Sequence, residues 1–280
     1  MNSDFVKAWW PVLVGLAALY LPTYFDLSMT IWQGEENAHG PIVLLASVWM
    51  VWHRRDVLLF VSPGQPNRLL GGIVLGFGLL LYAIGRSQEI LLFEVGSQIP
   101  VLLGTLLIIL GGKAAGELCF PLSFLVFMIP LPSFIVDAMT GPLKQQVSIL
   151  VENILYDLGY PIARSGVALS IGPYQLLVAD ACSGLYSMFS LSAVALLYLY
   201  LLQYGSKLRN AIIIASILPI AFCANLIRVM VLVLVTYHLG DEAGQGFLHA
   251  FAGIALFAIA LILLFALDGL LGLVCREKKS

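Results

Sequence analysis

Three side chains in this sequence have the types needed to cut a peptide bond together. Cys182, in DACSGLYSMFS, opens an apolar run; Arg228, in NLIRVMVLVLV, lies inside another; His249, in GQGFLHAFAGIALF, opens a third. A cysteine with a histidine makes a thiolate nucleophile, and the imidazole later returns the proton to the leaving group. A fixed cation beside them stabilises the oxyanion of a tetrahedral intermediate, most effectively where water is scarce. The implied chemistry is acyl transfer at a peptide bond. Neighbours support each group: Asp180 precedes Cys182, Gly184 lets a substrate backbone come close, and Asn225 lies three residues before Arg228 on the same helical side. Each residue also has a plainer reading. A cysteine in an apolar helix is often a small filler. Arg228 can be half of a structural ion pair with Asp180 or Asp268, and His249 has rivals in His238 and His39.

These residues need elements to position them. The chain has 280 residues, 60 % hydrophobic and 11 % charged, with a net charge of −2. Soluble domains carry about 25 % charged residues, so soluble and disordered classes are excluded. The near-neutral charge argues against a nucleic-acid partner bound by phosphate neutralisation. What remains is a protein whose surroundings are a lipid bilayer. A spanning helix needs about 20 mostly apolar residues, because lipid cannot satisfy exposed backbone polar groups. Charge-free runs fall at 8–25, 37–53, 69–85, 95–112, 118–136, 181–206, 210–227 continuing as 229–240, and 243–267. The expected fold is therefore all-α: a polytopic membrane protein of eight transmembrane helices, forming one membrane domain over residues 1–280. MNSDFVKAWW shows no clear cleavage site, so the first span is expected to be retained.

Basic residues in short loops set the orientation. With the N-terminus in the cytoplasm, Lys7, Arg54, Arg55, Arg68, Lys113, Lys207, Arg209, Arg276, Lys278 and Lys279 fall inside, which is 10 of the 14 Lys and Arg. Both termini are then cytoplasmic, and Cys182 and His249 start their spans at the outer face. Cys119, Cys223 and Cys275 map to the inner half or the middle of the membrane, which leaves Cys182 as a lone thiol facing an oxidising compartment. At a helix N-terminus, unpaired N–H groups and the helix dipole favour its thiolate.

The stretch 131–180 differs from the rest. Leu143, Val147, Leu150, Val151, Ile154, Leu155 and Leu158 recur at helical spacing opposite Lys144, Gln145, Ser148, Glu152 and Asp157. This predicts an amphipathic helix on the outer membrane surface. Alternation in 167–178, broken at Gly172-Pro173, predicts a short β-hairpin leading to Asp180-Ala181-Cys182. Glu35, Glu36 and His39 are candidates for a substrate-facing mouth, against a plainer reading as interfacial polarity. The four histidines are scattered without ligand spacing, so neither a metal nor another cofactor is expected.

ACSGL at 181–185, NLIR at 225–228 with its apolar run, and His249 with Gly253 resemble the three signature blocks of the exosortase/archaeosortase family, and EENAHGPIVLLASVWMVW at 35–52 is similar to the His-Gly segment of the exosortase B type. The resemblance implies a cysteine protease-transpeptidase of the bacterial inner membrane. Its partners would be membrane-anchored exported proteins carrying a C-terminal sorting tail: a Pro-Glu-Pro-type motif, a membrane helix and a basic end. It assigns Cys182 as nucleophile, Arg228 as transition-state stabiliser and His249 as general acid/base. It also implies an exopolysaccharide context. The chain ends at REKKS soon after the last span, without the fused soluble domain of longer relatives, so any accessory activity is expected from another polypeptide.

A different class of function fits some of the same residues. A transporter or flippase of an anionic lipid or glycan would use Arg228 within the membrane. No internal repeat or paired broken helices support it.

Overall fold

The computed structural model describes residues 3–34, 37, 39–55, 66–177, 184–202, 206–245 and 247–274, with side chains over these ranges apart from 3–8, 133, 137, 139, 177, 184–190, 207, 245, 247–257 and 273–274. The chain divides into two compact units, Met1–Pro132 and Ser133–Ser280.

In the first unit, α1 (Ser3–Met29) is followed by a 3₁₀ turn (Ile31–Gln33), α2 (Gly40–His53) and α3 (Arg68–Ser87). Next come α4 (Leu91–Gly96), α5 (Gln98–Ile109), α6 (Gly112–Glu117), α7 (Cys119–Phe124) and a 3₁₀ turn (Leu125–Met128). Asn67 caps α3 by accepting from the Leu70 N–H at 3.1 Å. Gly71, Gly78 and Gly85, one every seven residues, form the buried stripe of α3. A Cβ on Gly78 would meet Val101, and one on Gly85 would meet the Glu94 backbone. The glycines thus let α3 lie backbone to backbone against α4 and α5, a packing suited to helices in lipid. The lipid-compatible faces stay outside: Leu13, Leu21 and Phe25 of α1 and Ile42 and Leu45 of α2 are exposed.

The second unit holds α8 (Ser133–Asp157), strands β1 (Ile162–Ser165), β2 (Ala168–Ile171) and β3 (Tyr174–Leu177), then α9 (Gly184–Leu202), α10 (Lys207–Leu239), α11 (Asp241–Gln245) and α12 (Phe247–Val274). The strands form an antiparallel meander in the order β1-β2-β3. Ser206 caps α10 by accepting from the Arg209 N–H at 3.3 Å, and Gly240, at φ +91°, ends it. With 33 residues, α10 is about 50 Å long at 1.5 Å per residue, well beyond the roughly 30 Å of a hydrocarbon core.

Apolar layers fix how α9, α10 and α12 pack. Ala195, Leu199, Ile213, Ile217 and Leu264 form one, and Leu191, Ala221, Ala224 and Ala260 the next. Towards its 239 end, α10 packs a third cluster, in which Val229, Leu232 and Val233 meet Val147, Val151 and Leu155 of α8 and Ile162, Leu169, Ile171 and Leu176 of the sheet.

Among the described residues, four helical stretches are long and apolar enough to cross a membrane: Trp9–Met29, Arg68–Ser87, Leu91–Ile109 and Leu208–Leu239. Shorter apolar helices occupy Gly40–His53, Cys119–Met128, Leu191–Leu202 and Ala258–Gly272. The chain is thus a mostly helical membrane protein, and these stretches fall on the eight apolar runs of the sequence.

Three local expectations differ. The run 118–136 is not one helix: it breaks at Ile129–Pro132, where Pro130 and Pro132 cannot donate to a helical ladder. The helix expected from 143 begins at Ser133 and carries Pro142 inside it, and Val147, Val151 and Leu155 of its apolar stripe are buried against protein. The expected hairpin is a three-stranded meander.

Candidate active site on α9, α10 and α12

Arg228 sits on α10 with 6 % of its surface exposed, although its neighbours Ile227 and Val231 are 41 % and 46 % exposed. Helical spacing explains the contrast. Arg228 is 7 residues from Ala221 and 11 from Ile217, which at about 100° per residue puts each of them within about 20° of Arg228. It therefore extends the α10 stripe that packs against α9 and α12. Asn225 lies one turn earlier on the same side.

The start of α10 is closed by a buried ion pair. Arg209 places Nη2 2.7 Å from Asp268 Oδ1, donates from Nε to Oδ1 at 2.9 Å, and donates from Nη2 to the Asp268 carbonyl at 3.0 Å. Tyr198 Oη donates to Asp268 Oδ2 at 2.6 Å. One contact set thereby ties α9, α10 and α12 together. It also settles one plain reading of Arg228. Asp268 is engaged by Arg209, which lies 19 residues from Arg228, about 28 Å along the helix axis. Asp268 therefore cannot be the partner of Arg228.

The Arg209–Asp268 pair is a ruler for the two antiparallel helices. Nineteen residues from Arg209 along α10 is Arg228, and 19 residues back from Asp268 along α12 is His249. Both steps are about 28 Å, so the two positions lie at matched heights. Position 249 is 11 residues from Ala260, hence within about 20° of the α12 stripe that packs in the apolar layer. On α9, Gly184 is the first helical residue, 14 residues from Tyr198 and about 21 Å from that end. Cys182 and Asp180 lie outside the described residues, as do Glu35 and Glu36.

The rival histidines have other company. His238 is exposed, its ring 5.0 Å from Tyr237 and 5.9 Å from Tyr160, with Tyr160 Oη 3.4 Å from its Nε2. It is 10 residues past Arg228, about 15 Å further along α10. His39, in the first unit, has Nε2 3.0 Å from the Phe127 carbonyl oxygen.

Sequence reasoning overlooked a second polar cluster, in the first unit. Glu94, 2 % exposed, accepts from Thr23 Oγ1 at 2.6 Å and from Arg86 Nη1 at 3.1 Å, and Arg86 also donates to Asp26 at 2.7 Å. Tyr20 Oη is 2.9 Å from Ser97 Oγ, and Tyr24 Oη donates to Gln98 at 2.7 Å. The cluster joins α1, α3, α4 and α5. Its only sequence signal was a concentration of hydroxyls and charges near the ends of apolar runs. Among the described residues, no group of three or more His, Cys, Asp or Glu is arranged to hold a metal ion.

No curated protein and no solved structure matches the chain. A family model described as transmembrane exosortase matches residues 31–266. That span takes in the Glu35–Trp52 block, Cys182, Arg228, His249 and Gly253. With most of its length matched and its apolar helices in place, this chain belongs to the transmembrane exosortase family.

Proposed function

We propose that the protein is a membrane-embedded thiol protease-transpeptidase that removes a C-terminal sorting tail from exported proteins at the outer face of the bacterial inner membrane. In this reading residues 1–280 act as one membrane domain with both termini in the cytoplasm. The substrate tail, held by its own helix, diffuses laterally to the enzyme with its Pro-Glu-Pro-type motif just outside the bilayer.

Cys182 is the nucleophile. Its thiolate attacks the scissile carbonyl carbon, and the oxyanion that forms is stabilised by Arg228, a permanent charge in a water-poor setting. The tetrahedral intermediate collapses by breaking the C–N bond. His249 in its imidazolium form gives a proton to the leaving amine, and the tail departs. A thioester on Cys182 remains. Water or an amine acceptor then attacks it, with His249 taking the proton, and the thiolate is restored. Asn225 and Asp180 are assigned to positioning, and Gly184 to clearance for the substrate backbone.

The observation that carries this reading is the pair of matched 19-residue steps from Arg209–Asp268 to Arg228 and position 249. Helical geometry supports a guanidinium-bearing and an imidazole-bearing position at one height. The same ruler favours His249 over His238, which belongs about 15 Å further on.

The test is Cys182→Ala beside Cys182→Ser in cells co-expressing a reporter with a Pro-Glu-Pro motif, a membrane helix and a basic end. Both variants are expected to leave the reporter full-length while wild type shortens it. Normal shortening by the Ala variant overturns the proposal.

A further inference from the structure

The small sheet has two edges, and they are built differently. At the β1 edge, Pro161 precedes the strand, the Ile162 N–H turns back to the Tyr160 carbonyl at 2.9 Å, and Arg164 is held by Glu152 at 2.9 Å. A locked charge and a locally satisfied donor are devices that stop another chain from pairing with a strand. At the opposite edge, β3 reads YQLL, with no charge, and a proline, Pro173, precedes it as Pro161 precedes β1.

The register shows which groups β3 offers. Gly172 and Pro173 make a two-residue turn between Ile171 and Tyr174, with Gly172 at φ +55°. Residues flanking such a turn exchange hydrogen bonds, and the pairing alternates from there. Tyr174 and Leu176 therefore bond to β2, opposite Ile171 and Leu169. Gln175 and Leu177 direct their N–H and C=O groups away from the sheet. Among the described residues, Gln175 makes no backbone hydrogen bond outside the ladder, and its side chain is exposed. Leu176, by contrast, is 6 % exposed in the core with α8 and α10.

We propose that the open edge of β3 takes an extended segment of the substrate polypeptide, adjoining the bond to be cut, as a fourth strand. Strand addition supplies main-chain hydrogen bonds that do not depend on side-chain identity. β3 ends at Leu177, five residues before Cys182 in the sequence, and a strand laid along it holds the substrate in the extended form that attack on a peptide carbonyl requires. The inference rests on the thiol reading of Cys182 for its purpose, but not for its test.

The test is cross-linking in a variant carrying Gln175→Cys with Cys119, Cys182, Cys223 and Cys275 all changed to Ala. It is co-expressed with the tail-bearing reporter, in which single cysteines are scanned through the residues before the membrane helix. Strand pairing predicts disulfides at alternate reporter positions, because side chains alternate with a period of two. Equal yield at every position, no reporter adduct, or a disulfide to a second copy of the chain overturns the proposal. This readout needs no catalysis, so it stands apart from the Cys182→Ala test. In the active enzyme, Gln175→Pro removes a donor that faces off the sheet, where proline is tolerated. It is expected to slow reporter shortening about tenfold, while Gln175→Ala, which keeps the N–H, stays within about twofold. Unchanged shortening by the proline variant counts against strand addition.

Discussion

Arg209 and Arg228 lie 19 residues apart on one helix, and they are 7 % and 6 % exposed. Their surroundings differ. Arg209 is closed in by Asp268 and Tyr198, so its charge is neutralised where it is buried and three helices are tied together. Arg228 shares its height with the first turn of α12, whose sequence FLHAFAG contains histidine and no acidic residue, and α9 begins about 7 Å nearer the Arg209 end. A buried cation with a dedicated carboxylate is a structural tie. Arg228 is the buried cation proposed to meet a charge that develops only during a reaction. Burial alone does not separate the two roles.

Four single substitutions and one double change break or sharpen that contrast. The largest effect is expected from Asp268→Ala, which leaves Arg209 buried without its carboxylate. A loss of about 3–5 kcal/mol is expected for such a change, read as a collapse in folded yield and a lower melting temperature in detergent. The double change Arg209→Leu with Asp268→Leu should recover most of that loss, since no lone charge remains. Second, Arg228→Ala should lower the rate of reporter shortening by about 10²–10³-fold, the range for losing one oxyanion donor, with the folded yield kept. If Arg228→Ala instead unfolds the protein and leaves the activity of the surviving fraction intact, the two arginines have the same role. Third, Gly85→Ala sets a methyl against the Glu94 backbone; overpacking of this kind costs about 1–3 kcal/mol and should lower the melting temperature. The smallest change is Tyr198→Phe, which removes one hydrogen bond to Asp268 and should cost about 0.5–1.5 kcal/mol without altering shortening by the folded enzyme.

The contrast also shows what was legible in the sequence. Long apolar runs declare themselves because lipid imposes a length, so α1, α3, α10 and α12 were marked out before any coordinates. Arg228 was conspicuous as a charge inside such a run. Arg209 was not: next to Lys207 it reads as a loop cation, and only the fold turns it inward to Asp268. Nor did anything mark Glu94, which is buried on Thr23 and Arg86. Partners separated by 71 residues leave no local pattern. β1 was missed because Ala163, Arg164 and Ser165 give no apolar alternation; its place is set by pairing with β2 and by the Arg164–Glu152 contact. The break at Ile129–Pro132 was legible in its two prolines, which a count of charge-free residues passes over.

The central claim is a covalent one, and it has a direct measurement. The tail-bearing reporter is trapped by rapid acid quenching during turnover, and the enzyme is analysed by intact-mass and peptide mass spectrometry. The upstream reporter fragment is expected on Cys182 through a hydroxylamine-sensitive thioester in wild type, and is expected to be missing both in Cys182→Ser and in His249→Gln, which lacks the group that protonates the leaving amine. A reporter that wild type shortens with no adduct on Cys182, or an adduct on Cys119 or Cys223 instead, contradicts it.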